Sequence, residues 1–222
     1  MQINLMKSVA ICCALLVPAI GQAATVTTDF DANNGAGGNM FDVVIGSNAL
    51  TLQELGINTN RSGTYSFYYK TGSYNGFQQD ESAWTLHSQA AVTQQGFDEV
   101  STFDITDLTL NANTQYGFFV VGPRSYYTNG NSSGTFTNGL TEGDLLTSNG
   151  DIAIYLGVGQ SDADFDSNGF GSGGIGRAWN GSITYSVVEP AIAVPLPAGL
   201  VLGGTGLIIV GGMSMRRRRR RY

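Results

Sequence analysis

Histidine occurs once in the 222-residue chain, at position 87, and cysteine twice, at the adjacent positions 12 and 13. Zinc usually needs several His or Cys ligands, so no zinc ligand set is present. Both cysteines sit in an apolar N-terminal run, so the rest of the chain has no disulfide and must rely on its core. Basic side chains are nearly as scarce. Between the two ends only Arg61, Lys70, Arg124 and Arg177 are basic, against all seventeen acidic residues, which leaves that stretch at −13. Such a domain repels nucleic acid and anionic lipid, and no nucleic-acid partner is expected. A long apolar period of 3.6 residues is missing, which argues against a helical fold. No P-loop and no G-x-S-x-G elbow is present. Gly169 to Gly176 is glycine-rich but lacks the strand-to-helix setting of a dinucleotide loop.

The two ends are built differently from the middle. Lys7 precedes an apolar run from Ser8 to Ile20, broken by Pro18 and followed by Gly21-Gln22-Ala23-Ala24. A basic residue, a short apolar run and small residues at the A-x-A spacing make a secretory signal, with cleavage expected after Ala23. The run falls short of the roughly 20 residues of a spanning helix. Cys12 is not a lipoprotein site, because Val9-Ala10-Ile11 is a poor lipobox and the apolar run continues past it.

At the other end Val194-Pro195-Leu196-Pro197-Ala198 leads into an apolar, glycine-rich segment over about 198–215. Arg216, Arg217, Arg218, Arg219, Arg220 and Arg221 follow, and Tyr222 closes the chain. An uncharged apolar segment partitions into lipid, and a polybasic block stays cytoplasmic and sets the orientation. The segment is short, so it makes a weak permanent anchor.

A proline motif, an apolar span and a terminal arginine cluster, in that order, resemble the tail of PEP-CTERM proteins, in the VPLPA variant. The resemblance covers about the last 30 residues. It implies a sorting signal: Val194 to Ala198 would be the motif at which an exosortase-type membrane enzyme processes the chain. It further implies an inner-membrane intermediate and a final place in the cell envelope, on the surface or in an extracellular matrix.

Residues 24–188 are expected to form one all-β domain, an antiparallel β-sandwich or jelly roll, with 189–193 as a linker. Their number, roughly 165, suffices for a sizeable core. Short runs rich in aromatic and β-branched residues alternate with Gly/Asn/Asp/Ser clusters. The expected strands are Val26–Phe30, Met40–Ile45, Leu50–Ile57, Thr64–Lys70, Trp84–Thr93, Ser101–Ile105, Thr114–Val121, Ile152–Val158 and Ser182–Val188. Asn33-Asn34-Gly35 and Asn111-Ala112-Asn113 are expected turns. In Thr64–Lys70 the residues Tyr65, Phe67 and Tyr69 share one face, and Ser66, Tyr68 and Lys70 the other. In the next strand Trp84, Leu86, Ser88, Ala90 and Val92 are expected on one face, with Thr85, His87 and Gln89 opposite.

The segments YYKTGSYNGF, AWTLHSQAAVT, LTLNANTQYGFFV and RAWNGSITYSV are similar to a run of strands in bacterial exported proteins with this type of tail. The similarity covers Thr64 to Val188, with Gly122 to Ser172 poorly matched, and it bears on fold alone.

Three groups of side chains are candidates for chemistry. Asp162, Asp164, Asp166 and Asn168 place oxygen ligands at alternate positions, as the start of a calcium loop does. Ser167 stands where such a loop wants Gly, and Gly173 where it wants Glu, so an acidic surface loop fits as well. Tyr68, Tyr74, Phe77, Tyr126, Tyr127 and Trp179 can stack on sugar rings if exposed, or fill the core if not. Tyr74, Phe77, Tyr126 and Tyr127 are expected in loops. A pair of carboxylates is the remaining route to chemistry, glycan hydrolysis, but its spacing is not legible in a sequence. The expectation is a non-catalytic exported protein associated with the membrane, a processing enzyme and extracellular polysaccharide. Its alternative is a carboxylate-based glycan hydrolase. No cofactor is expected beyond calcium at the acidic loop.

Overall fold

Twelve strands, all paired antiparallel, make up residues 21–188, the part of the chain that the computed structural model describes. They are β1 (Ala23–Thr27), β2 (Asn34–Ile45), β3 (Leu50–Thr59), β4 (Gly63–Thr71), β5 (Thr85–Val92) and β6 (Gly96–Leu110). β7 (Gln115–Asn129), β8 (Leu145–Ser148), β9 (Ile152–Tyr155), β10 (Val158–Gln160), β11 (Arg177–Trp179) and β12 (Gly181–Val187) follow. One sheet has four strands in the order β1-β12-β3-β6. The other has eight: the path β5-β4-β7-β2-β9-β8, with β10 beside β2 and β11 beside β7. Among the described residues no helix is long and apolar enough to cross a membrane. The signal through residue 20, the linker, the Val194–Ala198 motif, the apolar segment and the arginine cluster lie outside the described residues.

Alternation builds the layers. Phe41, Val43, Phe67, Phe118 and Val120 from the larger sheet and Leu52, Leu55, Ile57, Phe103, Ile183 and Tyr185 from the smaller share one buried core, as in a β-sandwich. The residues between them in sequence face the other way. Met40, Phe119 and Val121 join Tyr74, Trp84, Val158 and Phe165 in a second, smaller cluster on the opposite face of the larger sheet. The expected split of β4 holds: Tyr65 and Phe67 lie in the main core with Tyr69 packed against it, and Tyr68 packs on the second cluster.

β5 departs from expectation at a bulge. The register steps from Phe67↔Ser88 to Tyr68↔Leu86, so His87 has no place in the ladder. One extra residue reverses the faces on its far side. Trp84 therefore joins the second cluster while Val92 lies in the main core, and Leu86 is exposed. The His87 ring packs edge-on to Phe67 and Tyr69, at 6.0 and 5.6 Å between centroids. Its Nε2 donates to the carbonyl of Thr106 at 2.7 Å, and the Thr106 N–H donates to Ser88 Oγ at 2.9 Å. β6 is an edge strand, and these two side chains of β5 cover part of its open backbone.

Several segments run longer than their sequence suggests. Asn33-Asn34-Gly35 is not a turn: Asn34 opens β2 opposite Tyr127, and Asn33 Oδ1 accepts from Asn129 N at 2.9 Å, continuing the ladder with a side chain. Tyr126 and Tyr127 lie in β7 rather than a loop, and Leu108–Leu110 continues β6. The expected strand Ile152–Val158 is interrupted at Leu156-Gly157, and β8 and β11 were not expected. The turn at Asn111–Asn113 is present, with Asn113 at φ 53°.

Candidate functional site

A cavity of about 510 Å³ is created by an irregularity in the pairing of β2 with β7. Ala36 pairs with Ser125 but Gly38 pairs with Val121, so Gly122, Pro123 and Arg124 of β7 all oppose Gly37. A bulge of this kind re-aims side chains out of the ladder. It delivers Pro123 and Arg124 to the cavity wall. The buried Tyr65 holds it from below, donating its hydroxyl to the Arg124 carbonyl at 2.6 Å and accepting from Thr59 Oγ at 2.7 Å. Burial raises the Tyr65 phenol above its ordinary value, so it stays protonated as this bond requires.

Arg177 reaches the same cavity from β11, which pairs with β7 through Arg177↔Asn129 and Trp179↔Tyr127. Its Nη1 donates to the Gly176 carbonyl at 2.6 Å, and its buried Nε meets no acceptor among the described residues. Its guanidinium lies 5.8 Å from the Tyr127 ring centroid, and that of Arg124 lies 4.9 Å from Tyr126. Gly35 permits the second contact, because a Cβ there would stand 3.0 Å from Arg124 Nε and 2.7 Å from the Tyr126 ring. Phe170, 48% exposed, completes the wall from the glycine-rich loop. Reciprocal backbone bonds with Gly159, of 2.7 and 3.1 Å, dock it there. Asn34 and Ser161 add polar groups, and no acidic residue lines the cavity.

A second pair of cavities, about 340 and 300 Å³, meets at Asp42, Tyr74 and Gly143. Asp42 and Glu142 both line the larger one, which brings two carboxylates to one cavity. Their oxygens are engaged, however. Asp42 accepts from Ser73 Oγ at 2.6 Å, Tyr74 N at 2.8 Å and Gln115 Nε2 at 2.8 Å. Glu142 accepts from the Tyr74 hydroxyl at 2.6 Å and Gly173 N at 2.5 Å. The Asp42 bonds tie the loop after β4 to the sheet, and Glu142, in the loop before β8, ties that loop to the glycine-rich one. Lys70 Nζ donates to the Ser73 carbonyl at 2.7 Å beside them, and burial lowers its pKa against the opposing pull of Asp42.

This latch has a pH signature. Burial first, and then the bond to Glu142, raise the Tyr74 phenol well above its usual 10.0. A group raised on folding stabilises fully below its unfolded pKa, and that stability is lost as pH rises through the folded one. Tyr65, Tyr68 and Tyr185 are raised too, and the lowered Lys70 acts in the opposite sense. Melting temperature is expected to fall above about pH 10, less steeply in Tyr74→Phe than in the wild type. At pH 7 the substitution should cost about 1 kcal/mol. Parallel alkaline slopes in the two proteins would rule the latch out as their cause.

Asp162, Asp164, Asp166 and Asn168 are all exposed. Asp162 Oδ1 accepts from Asp164 N at 3.1 Å, and the chain between is pinned by buried Phe165 at φ 54°. Among the described residues no three His, Cys, Asp or Glu side chains form a group able to hold a metal ion, these three carboxylates included. Of the aromatic candidates, Trp179 is fully buried and stacks on Phe41 at 4.6 Å, so it belongs to the core. Tyr74 and Tyr127 are also buried, and Tyr68 stacks on Phe119. Phe77 is exposed in its loop under Lys70, whose Nζ is 4.1 Å from the ring centroid. Tyr126 packs edge-on to Phe97 at 4.7 Å. Sequence reasoning missed Phe170 and the meeting of Arg124 with Arg177. The available signal was the rarity of basic residues, two of the four being these.

Comparison with known proteins adds little. No family model matches the chain, and no curated protein matches it. Eleven solved chains match. Among them is the VP2 subviral particle of infectious bursal disease virus, 14% identical, covering 90% of this chain and 53% of that one at a TM-score of 0.24. This chain thus spans about half the length of that one.

Proposed function

We propose that the protein is an exported cell-envelope or extracellular-matrix component that associates with polysaccharide and has no catalytic role. It reaches the inner membrane by its signal, is held there by its apolar tail, and is sorted by an exosortase-type enzyme. The observation that carries this reading is the ordered tail: Val194 to Ala198, an apolar segment, then Arg216 to Arg221. The pairing of β1 with β12 supports it. Ala23↔Ser186 brings the expected signal-cleavage point beside the strand that leads to the tail, so both ends leave the domain at one edge of the smaller sheet. Cleavage after Ala23 leaves Ala24 to Thr27 to hold the pairing.

Intact-mass spectrometry of membrane and released fractions from the native cells tests this. A mature chain ending between Val194 and Gly199, outside the inner membrane, is expected. A chain that keeps Arg216 to Tyr222 in the membrane overturns the sorting reading. The hydrolase alternative rests on Asp42 and Glu142 sharing one cavity. Turnover of chromogenic glycosides that Asp42→Asn abolishes would replace the non-catalytic reading with it.

A further inference from the structure

We infer that the cavity between β2, β7 and β11 binds a carboxylate-bearing sugar, a uronic acid residue of an acidic polysaccharide. The inference rests on the polysaccharide reading above and names the class of sugar. Three features carry it. First, charge is placed against the trend of the molecule. The domain holds four basic side chains against sixteen acidic ones, yet two of the four line this one cavity and no acid does. The fold builds this concentration by the bulge that turns Arg124 out and by the three-residue strand that presents Arg177.

Second, the donors are only partly used. The Arg177 guanidinium donates to one carbonyl, and its Nε is buried with no acceptor among the described residues. The Nη groups keep N–H donors beyond the one bond to the Gly176 carbonyl, and these are the donors an incoming carboxylate can use. Guanidinium groups bind carboxylates through paired, directional bonds. Third, the remaining wall suits a pyranose ring. Phe170 offers an exposed apolar face for C–H stacking, and Asn34 and Ser161 offer partners for hydroxyls. The volume, about 510 Å³, is that of a small-molecule site.

The surroundings also choose among anions. Asp162 follows Ser161 directly, and the domain as a whole is strongly negative. A phosphate of higher charge is repelled more than a carboxylate carrying one charge, while that repulsion is screened beyond about 8 Å at physiological salt. A single carboxylate on an otherwise neutral ring is therefore the better fit.

Calorimetry on the full chain in detergent micelles tests this with a short oligosaccharide carrying one uronic acid residue among neutral sugars, the same oligosaccharide with its carboxyl reduced to an alcohol, and inorganic phosphate and acetate as competitors. The acidic oligosaccharide is expected to bind about tenfold tighter than the reduced one, and Arg177→Gln and Arg124→Gln each to weaken it about tenfold. Arg124 makes no core contact, so Arg124→Gln remains informative if Arg177→Gln fails to fold, as its melting curve will show. Equal binding of acidic and reduced forms, undiminished in Arg124→Gln, overturns the inference and leaves the polysaccharide reading intact. Binding of neither overturns the inference and removes polysaccharide from the proposed function. Displacement by phosphate below the concentration at which acetate competes overturns the choice of carboxylate.

Discussion

Trp179→Ala is expected to destabilise the domain by about 4 kcal/mol, which for a domain of this size lowers the melting temperature by roughly 8–16 °C. Trp179 is the largest fully buried side chain and sits where the two sheets meet. It stacks on Phe41 with ring planes 13° apart, and Phe41 in turn packs edge-on to Phe118. Truncation removes the buried area, opens a cavity and ends that aromatic pair, which by itself is worth about 1 kcal/mol. One term has the opposite sign. The indole Nε1 is buried with no acceptor among the described residues, so its removal recovers desolvation. Trp179→Phe separates the two effects, because it keeps most of the stacking and deletes the unmatched N–H. It should cost no more than about 1 kcal/mol. Urea unfolding of both variants measures this, and equal losses would show that the ring stack contributes little. Because Trp179 holds β11 to β7, the alanine variant should also loosen Arg177 two residues away.

Gly157→Ala is the second large effect, about 3 kcal/mol or more. A Cβ at this position would stand 1.9 Å from the Met40 carbonyl oxygen and 2.8 Å from Phe41 Cα, both backbone atoms that cannot rotate away. Gly157 is the break between β9 and β10, where the chain crosses close over β2 before Val158 pairs with Met40. Its carbonyl also accepts from Arg177 N at 2.6 Å, so a shift here is passed to β11. Gly174→Ala is the control. Nothing but the Gly171 carbonyl at 3.7 Å lies near its Cβ, and a change within about 0.5 kcal/mol is expected. Chemical denaturation of the two variants side by side decides whether backbone approach, rather than glycine content, is what the domain needs at Gly157.

Much of the fold was legible, and for a definite reason. Strand period is a local property. Tyr65, Phe67 and Tyr69 alternate with Ser66, Tyr68 and Lys70 in the sequence, and they separate to opposite faces because successive side chains must. Asn111–Asn113 turns because Asn tolerates the left-handed conformation that Asn113 adopts. Where the reading failed, a second strand had intervened. His87 left the polar face because β4 and β5 pair with a bulge, and no feature of β5 alone records that. Tyr126 and Tyr127 were expected in a loop after a strand ending at Val121, whereas β7 passes Gly122-Pro123 as a bulge and continues to Asn129.

The candidate site was legible only in its ingredients. Arg124 and Arg177 were evident as two of four basic residues, but they are 53 positions apart and meet through β7 pairing with β11. Phe170 lies in a glycine-rich stretch with no period, and its docking on Gly159 is purely a backbone contact. The carboxylates Asp42 and Glu142 were two among seventeen until Tyr74 was found between them.

The sequence by itself determined the antiparallel all-β class and the absence of disulfides in the middle of the chain. It also set the charge asymmetry and the two unusual ends that carry the export proposal. These follow from composition and short-range order, which act residue by residue along the chain. Only the tertiary structure decided that Trp179 fills the core, that Asp42 and Glu142 hold a latch, and that two arginines face one cavity. Each depends on register between strands distant in sequence, and register is set by the packing of whole sheets, which no local run of residues encodes.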